Sequence, residues 1–308
     1  MLCIDNHGLD PYKNIALEEA LLSLYPGETV VMLWQNPPCV VCGKNQNIFE
    51  EVCLPEVWDA GISVVRRNTG GGTVYHDMGN LNYTVITPKE NAADGYPHFL
   101  LPMADALCGL GVPCAPGGIC DLVADGKKLS GSAQAVIGTS VLHHGTLLFD
   151  ADLTVLHRLT TNRESCAVRS KAIRSKPAPV GNIRQYVAPE MTLAGFRAYL
   201  WMALSDGTVP REPNEAESAL AERLAEEKYR TWDWIYGKSP AFSFAHTVSG
   251  KKIAYTARRG RIADFSVDGV PLPALMDVPL RPDALSKALT DAGYDALSPM
   301  LLLGGQKG

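Results

Sequence analysis

Two stretches of this sequence hold residues that could do chemistry together. The first runs Arg66-Arg67-Asn68-Thr69-Gly70-Gly71-Gly72-Thr73-Val74-Tyr75-His76-Asp77-Met78-Gly79-Asn80. Three consecutive glycines can turn backbone N–H groups toward one ligand with no side chain in the way. Arg66 and Arg67 bring positive charge to the same place, which is the chemistry of an anion cradle, with phosphate as the natural anion. No Gly-Lys-Ser/Thr follows, so this is not a Walker loop, and the Gly-x-Gly-x-x-Gly dinucleotide turn is absent. Taken alone, a triple glycine reads more simply as a glycine-rich hairpin with two solvated arginines. The second stretch, Cys120-Asp121-Leu122-Val123-Ala124-Asp125-Gly126-Lys127-Lys128-Leu129-Ser130-Gly131-Ser132-Ala133, argues against that simpler reading. Asp125-Gly126 is a two-residue hairpin signal. A strand therefore restarts at Lys127, and adjacent strand positions face opposite ways, so only one of Lys127 and Lys128 can enter a site.

Several elements must position these residues. A β-branched run, Ile62 to Val65, leads into the arginines, so the first stretch reads as strand, tight loop, strand. Asp10-Pro11 is a cap and first-turn pair, and Leu17, Ala20, Leu21 and Leu24 then follow a helical stripe with Glu18 and Glu19 off it. Thr29 to Trp34 and Cys39 to Cys42 read as buried strands broken by Pro37-Pro38, and Glu50 to Ala60 as a short helix interrupted by Pro55. In Leu81 to Thr87, Asn82 and Thr84 alternate with Leu81, Tyr83 and Val85. After a polar loop over Pro88 to Pro97, Phe99 to Gly111 is helical, and strands Ile119–Ala124, Lys128–Ile137 and Val141–Phe149 follow. Leu153 to Asn182 is basic, with Arg158, Arg163, Arg169, Lys171, Arg174 and Lys176. Thr192–Ser205 and Glu215–Tyr229 read as helices, and a β-β-α pattern restarts after Pro240. The alternation predicts an α+β protein with a largely antiparallel or mixed sheet flanked by helices, rather than a doubly wound parallel sheet.

Composition is that of a soluble globular protein: 308 residues, 46% hydrophobic and 20% charged. A net charge of −5 argues against general nucleic-acid binding. No basic segment followed by an apolar stretch opens the chain and no run is long enough for a spanning helix, so the expected location is cytoplasmic, with no membrane partner. Cys39-x-x-Cys42 lies inside an apolar strand with no second pair to complete a zinc site, so reduced, mostly buried thiols are expected.

The pattern Arg-Arg-x-x-Gly-Gly-Gly-x-Val-aromatic-His-Asp-x-Gly-Asn is complete from Arg66 to Asn80, and Lys-x-Ser-Gly-Ser-Ala from Lys128 to Ala133. A third match, His143-His144-Gly145-Thr146-Leu147-Leu148 followed by Asp150-Ala151-Asp152-Leu153, keeps the order and spacing. Together they resemble the lipoate–protein ligase A family, within the larger group of biotin–protein ligases and lipoate/octanoate transferases. The resemblance implies a catalytic domain over 1–244, ended by Trp232-x-Trp234-x-x-Gly237, and a small C-terminal α/β accessory domain over 245–308. Its implied activity is ATP-dependent formation of lipoyl- or octanoyl-AMP, assisted by Mg²⁺, then acyl transfer to a lysine of a lipoyl-acceptor domain. Such acceptors belong to 2-oxoacid dehydrogenase complexes and to the glycine cleavage H protein, and a monomer is expected.

A carboxylate meeting an α-phosphate calls for fixed positive charge, and the family pattern selects Lys128 over Lys127 for that catalytic role. The resemblance further gives Arg67, Gly70, Gly71 and Gly72 to the phosphate or adenylate, and Tyr75 and Asn80 to the adenosine side. Asp121 would hydrogen-bond there or assist the metal. His76 could contact the ligand or serve as a hydrogen-bonded structural histidine. Trp34, Gly72, His144 and Gly145 would border the lipoate pocket, although Trp34 by itself reads as core. Lys171 to Lys176 and Val180-Gly181-Asn182 resemble a family segment whose link differs here, so no site residue is carried over from them. Cys120 stands where ligases commonly have Asn. It opens a second reading, an ATP-independent acyl transferase using a thiolate, and a third is an inactive lipoyl-binding relative.

Overall fold

The computed structural model describes residues 1–160, 167–172, 174–175 and 178–303. Arg163, Cys166 and Lys176 of the basic stretch lie outside the described residues. The chain opens with β1 (Leu2–Asp5) and α1 (Pro11–Leu24), which Asp10 caps by accepting from the amides of Tyr12 and Lys13. Then come β2 (Val30–Trp34), β3 (Cys39–Cys42), the helices α2 (Ile48–Glu51) and α3 (Leu54–Asp59), β4 (Ser63–Arg66), β5 (Val74–His76) and β6 (Asn80–Pro88). The single helix expected over Glu50–Ala60 is two, because Pro55 fits only the first turn of a helix and so starts a new one. Helix α4 begins at Tyr96, earlier than its apolar stripe suggests, and runs to Gly109. Strands β7 (Ala115–Gly117), β8 (Asp121–Ala124), β9 (Lys127–Ile137) and β10 (Ser140–Leu148) follow, then α5 (Leu153–Thr160), β11 (Val168–Ser170), α6 (Leu193–Leu204) and α7 (Glu215–Leu224). The helix expected to reach Tyr229 finishes as one π-type turn over Ala225–Tyr229. After α8 (Trp232–Ile235) come β12 (Phe242–Val248), β13 (Lys251–Arg258), β14 (Arg261–Val267), β15 (Val270–Pro271), α9 (Pro282–Asp291) and α10 (Pro299–Leu302).

The main sheet has the order β1-β2-β6-β10-β9-β8-β7, antiparallel except for the β1/β2 pair. Leu33, Leu81, Tyr83, Leu129 and Leu147 face α4 and α6 on one side. On the other side Met32 and Trp34 share a core with α1, α7 and the small sheet β4-β3-β5. The main and small sheets therefore oppose each other, and the site lies between them. Cys39 and Cys42 sit on opposite faces of β3, in different cores, so they cannot chelate one ion. A third sheet, β11-β12-β13-β14-β15, carries α9 and α10 and shares a core with α2, β3 and β4 through Phe49, Tyr236 and Phe242. The boundary expected at 244/245 falls inside β12, and β11 joins this sheet from the basic stretch, so the sheet has five strands where the β-β-α pattern suggested two. Among the described residues no helix is long and apolar enough to cross a membrane.

Candidate active site

A cavity of about 610 Å³ opens between the two sheets. Its floor is written in strand register. Trp34, Asn82, Thr146, Gly131 and Asp121 are successive cross-strand partners on β2, β6, β10, β9 and β8. The row beside it is Met32, Thr84, His144 and Ala133. The polar members alternate with the leucines that face α4, but they do not meet solvent: Asn82, Thr84 and His144 are all buried. The polar face of this sheet is the inside of a site.

The glycine loop forms the roof. Asn68 and Thr69 are buried, Gly71 has φ +85°, and a Cβ on Gly43 would lie 2.1 Å from the Gly71 carbonyl oxygen, so both glycines are required by geometry. The two arginines are neither solvated nor free. Arg66 is fully buried and donates to the carbonyls of Ile235 (2.8 Å), Gly43 (2.9 Å) and Gln46 (2.8 Å) and to Ser239 Oγ (3.0 Å). Arg67 donates to the carbonyls of Val41 (3.1 Å), Gly70 (2.6 Å) and Gly72 (2.7 Å) and to Thr69 Oγ1 (3.1 Å). Burial lowers the Arg67 pKa to about 10, which leaves it charged at neutral pH. Arg67 therefore holds the loop's shape and keeps its positive charge beside the cavity, with the Glu18 carboxylate acting on it through space.

Lys128 is on the opposite wall. The Asp125-Gly126 turn has φ +49° and +72°, the doubly left-handed hairpin turn its sequence calls for. Leu122 pairs with Ser130 and Val123 with Lys128, leaving Leu129 as the extra residue of a bulge. Three positions apart, Lys128 and Gly131 would otherwise face opposite ways; the bulge puts both on the cavity. The Lys128 side chain is 27% exposed and its ammonium lies 2.8 Å from Asp121 Oδ1, while Lys127 points to solvent. Its backbone is clamped by donation to the Pro179 carbonyl (2.8 Å) and acceptance from the Gly181 amide (3.0 Å).

Trp34, Gly72, His76, His144 and Gly145 line the cavity with Arg67, Gly70, Gly71 and Lys128. Tyr75 and Asn80 do not. Tyr75 packs in the core with Val40 and Phe49, and Asn80 is buried, donating to Asn82 Oδ1 (2.9 Å). Strand alternation turns Tyr75 away from Val74 and His76 into the core, whereas Asn80 shares the face of Asn82 and bonds to that residue instead of lining the cavity. Asp121 stands behind Lys128 rather than in the lining. Among the described residues no group of three His, Cys, Asp or Glu side chains could hold a metal ion, so the metal role expected for Asp121 has no supporting ligand set.

Sequence reasoning missed several residues. Glu18, read as off the buried stripe of α1, is 1% exposed, pairs with His144 Nδ1 (2.8 Å) and accepts from Thr84 Oγ1 (2.6 Å). Trp34 Nε1 donates to the same Thr84 oxygen (2.9 Å), and His144 Nε2 meets Thr69 Oγ1 (2.6 Å). One buried chain of polar contacts thus ties Trp34 to the glycine loop. A glutamate at the edge of an apolar stripe carries no signal that a histidine on a distant strand awaits it. Ser175 was missed as well: Gln46 Nε2 donates to Ser175 Oγ (2.8 Å), and Gln46 Oε1 accepts from Thr73 Oγ1 (2.8 Å). Ser175 also bonds Glu51, and Arg174 Nε donates to Glu50 Oε1 (2.8 Å), so Lys171, Arg174 and Ser175 close over the cavity.

Two orphaned donors face inward. Asn36 Oδ1 is taken by Asn14 Nδ2 (2.8 Å), so its Nδ2 donates to His76 Nδ1 (3.1 Å) and the His76 proton sits on Nε2. Burial lowers the His76 pKa to about 3, so the ring is neutral. Its Nε2 and Asn82 Nδ2 have no protein partner, and a bound molecule's acceptors would satisfy them. Cys120 lines the cavity too, with its thiol donating to Asp121 (3.5 Å), and burial followed by the Asp121 charge raises its pKa.

The sequence over residues 10–205 matches the lipoyl protein ligase A/B catalytic domain. The chain belongs to that family. It is 35% identical over 282 residues to the lipoate–protein ligase LplJ of Bacillus subtilis, covering 87% of this chain and 85% of that one. It is 33% identical to lipoate–protein ligase 1 of Staphylococcus aureus, covering 86% and 83%. Among solved structures, a lipoate–protein ligase A bound with ATP aligns with a TM-score of 0.65 at 25% identity over 77% of this chain and 98% of that one. P. falciparum LipL1 in complex with lipoate aligns with a TM-score of 0.66 at 21% identity over 94% of each chain, so its fold extends through the C-terminal sheet. The family's fold is the mixed, helix-flanked α+β architecture seen here.

Proposed function

We propose that the protein is an ATP-dependent lipoate–protein ligase. The observation that carries the reading is the Lys128 ammonium, held by Asp121 on one wall of a cavity whose roof is a triple glycine stretched over a buried arginine. A carboxylate oxygen of lipoate or octanoate attacks the α-phosphorus of ATP, pyrophosphate leaves, and an acyl-AMP forms. A lysine Nζ of the acceptor then attacks the acyl carbon, and AMP departs. In the first step two anions approach each other, so Lys128 between them and the Arg67 field behind the loop do the electrostatic work. Neither step needs a covalent nucleophile of the enzyme. The cavity residues Trp34, Gly72, His144 and Gly145 would border the acyl chain.

The donor set does not build a Mg²⁺ site by itself, since Asp121 is engaged by Lys128. Mg²⁺ therefore enters with ATP as a co-substrate ion held chiefly by phosphates. The second substrate is a lipoyl-acceptor domain of the 2-oxoacid dehydrogenase or glycine cleavage H type. The region from about Phe242 onward serves as the accessory domain, and the reaction takes place in the cytoplasm. Transfer through Cys120 is disfavoured, because its environment keeps the thiol protonated.

Lipoate-dependent exchange of pyrophosphate into ATP tests the reading. Exchange that requires lipoate and falls on the order of 1000-fold in Lys128→Ala is expected. Absence of exchange, with octanoyl transfer from an acyl-carrier protein that dies in Cys120→Ala, would establish the transferase instead.

A further inference from the structure

We infer that Gly131 is a positioning residue for Lys128: the Cβ it lacks is the space in which the lysine's terminal Cε and Nζ lie. A Cβ built on Gly131 would stand 2.4 Å from Lys128 Cε and 2.5 Å from its Nζ, with Asp121 Oδ1 3.8 Å away. Real contacts of that kind do not occur, so an alanine forces the ammonium to move. Gly131 is not among the residues of positive φ, so backbone freedom is not what the position asks for.

The bulge at Leu129 supplies the other half of the device. It turns Lys128 onto the face of Gly131, and the side chain then folds back along its own strand across the glycine to reach Asp121, the cross-strand partner of Gly131. Backbone bonds to Pro179 and Gly181 fix where the lysine starts. The slot and Asp121 fix where it ends. The displaced atoms are the far end of a flexible side chain, so the fold tolerates the change while the charge loses its address.

The inference rests on Lys128 acting in adenylation, and the tests separate the two. In the full-length protein, Gly131→Ala should leave the thermal midpoint within about 2 °C of wild type. It should lower kcat of lipoate-dependent pyrophosphate exchange on the order of 100-fold, with the dissociation constant for lipoate alone changed less than about threefold. In a Lys128→Ala background the same substitution should produce no further loss, as two changes acting through one group must. Equal losses from Gly131→Ala with and without the lysine, or a lipoate affinity that falls as much as kcat does, would mean the methyl obstructs substrate and would overturn the inference. If Lys128→Ala itself leaves exchange intact, the proposed function fails first. Should Gly131→Ala not fold, a crystal structure of Asp121→Asn answers the same question. The Lys128 ammonium staying over the Gly131 Cα supports the slot, and a lysine swung into solvent refutes it.

Discussion

The two walls of the cavity place positive charge in opposite ways. In the glycine loop, Arg66 and Arg67 are sunk in the protein with their donors directed at backbone carbonyls, so their charge is fixed in place and their work is largely architectural. On the β8–β9 wall a single lysine, partly exposed, keeps one carboxylate partner and a flexible stem. The difference teaches that a charge that shapes a loop and a charge that meets a substrate have different requirements. The first wants a planar, multi-donor group that stays protonated under burial, and the second a compact ammonium that can follow the reacting atoms.

The comparison predicts that a loss on the lysine wall is catalytic and a loss on the arginine wall is structural. Lys128→Ala should cut pyrophosphate exchange on the order of 1000-fold with an unchanged circular-dichroism melting curve; a melting shift as large as that of a core mutant would erase the distinction. Arg66→Met should do the reverse, destabilising by about 3–5 kcal/mol because several buried carbonyls lose their donor together. Chemical denaturation measures this, and a variant as stable as wild type with impaired catalysis would show Arg66 to be a site residue.

Two buried neutral histidines, one in the site and one on the α4 side of the main sheet, sharpen the same contrast through pH. His76 and His143 are both lowered to about 3 from an ordinary 6.5, in each case by burial first and then by neighbouring positive charge. Above pH 6.5 folded and unfolded chains are both neutral there, and these groups add no pH dependence. As pH falls below 6.5 the unfolded chain takes up protons that the folded one refuses, so stability drops, by roughly 1.4 kcal/mol per pH unit per histidine at most, until about pH 3. His143→Phe, beside Phe99 on which the ring already stacks at 4.3 Å, should remove about half of the acid sensitivity of the thermal midpoint between pH 7 and 5. Identical acid profiles for variant and wild type would rule this out.

Smaller effects are expected where the two walls are joined. Glu18→Gln breaks the charge partner of His144 while keeping its size, and should raise KM for lipoate by about three- to tenfold with kcat nearly constant, equivalent to roughly 1 kcal/mol; steady-state kinetics in which kcat alone moves would place Glu18 in the chemistry instead. Cys120→Ala should change exchange by less than about threefold, since a protonated thiol offers packing and one weak hydrogen bond. Complete loss in that variant would revive the thiolate reading.

The legibility of the site follows how local its signals are. Gly70–Gly72, the Asp125-Gly126 turn and Lys128 were readable because each depends on neighbours a few positions away. Tyr75 and Asn80 share a motif with cavity residues without lining the cavity: alternation turns Tyr75 into the core, and Asn80, on the face of Asn82, is spent on a bond to that side chain. Glu18 was invisible for a different reason. A polar residue beside an apolar stripe usually meets water, and only the packing of α1 against β10 supplies His144 in its place. Arg174 and Ser175 lie far along the chain from Gln46, Glu50 and Glu51, and nothing in their sequence context indicates that they meet.

By itself the sequence determined the elements, the order of the motifs, the α+β class and that only one of Lys127 and Lys128 can enter the site, because propensity, turn chemistry and period-two alternation act over short spans. Tertiary structure alone decided that the polar face of the main sheet is the inside of a cavity, that Arg67 serves the glycine loop, and that Arg66 ties the 43–46 segment to Ile235 and Ser239. It also set the bulge that brings Lys128 onto the face of Gly131. Those outcomes depend on strand register and on which buried donors find which carbonyls, and register is settled only when separate parts of the chain come together.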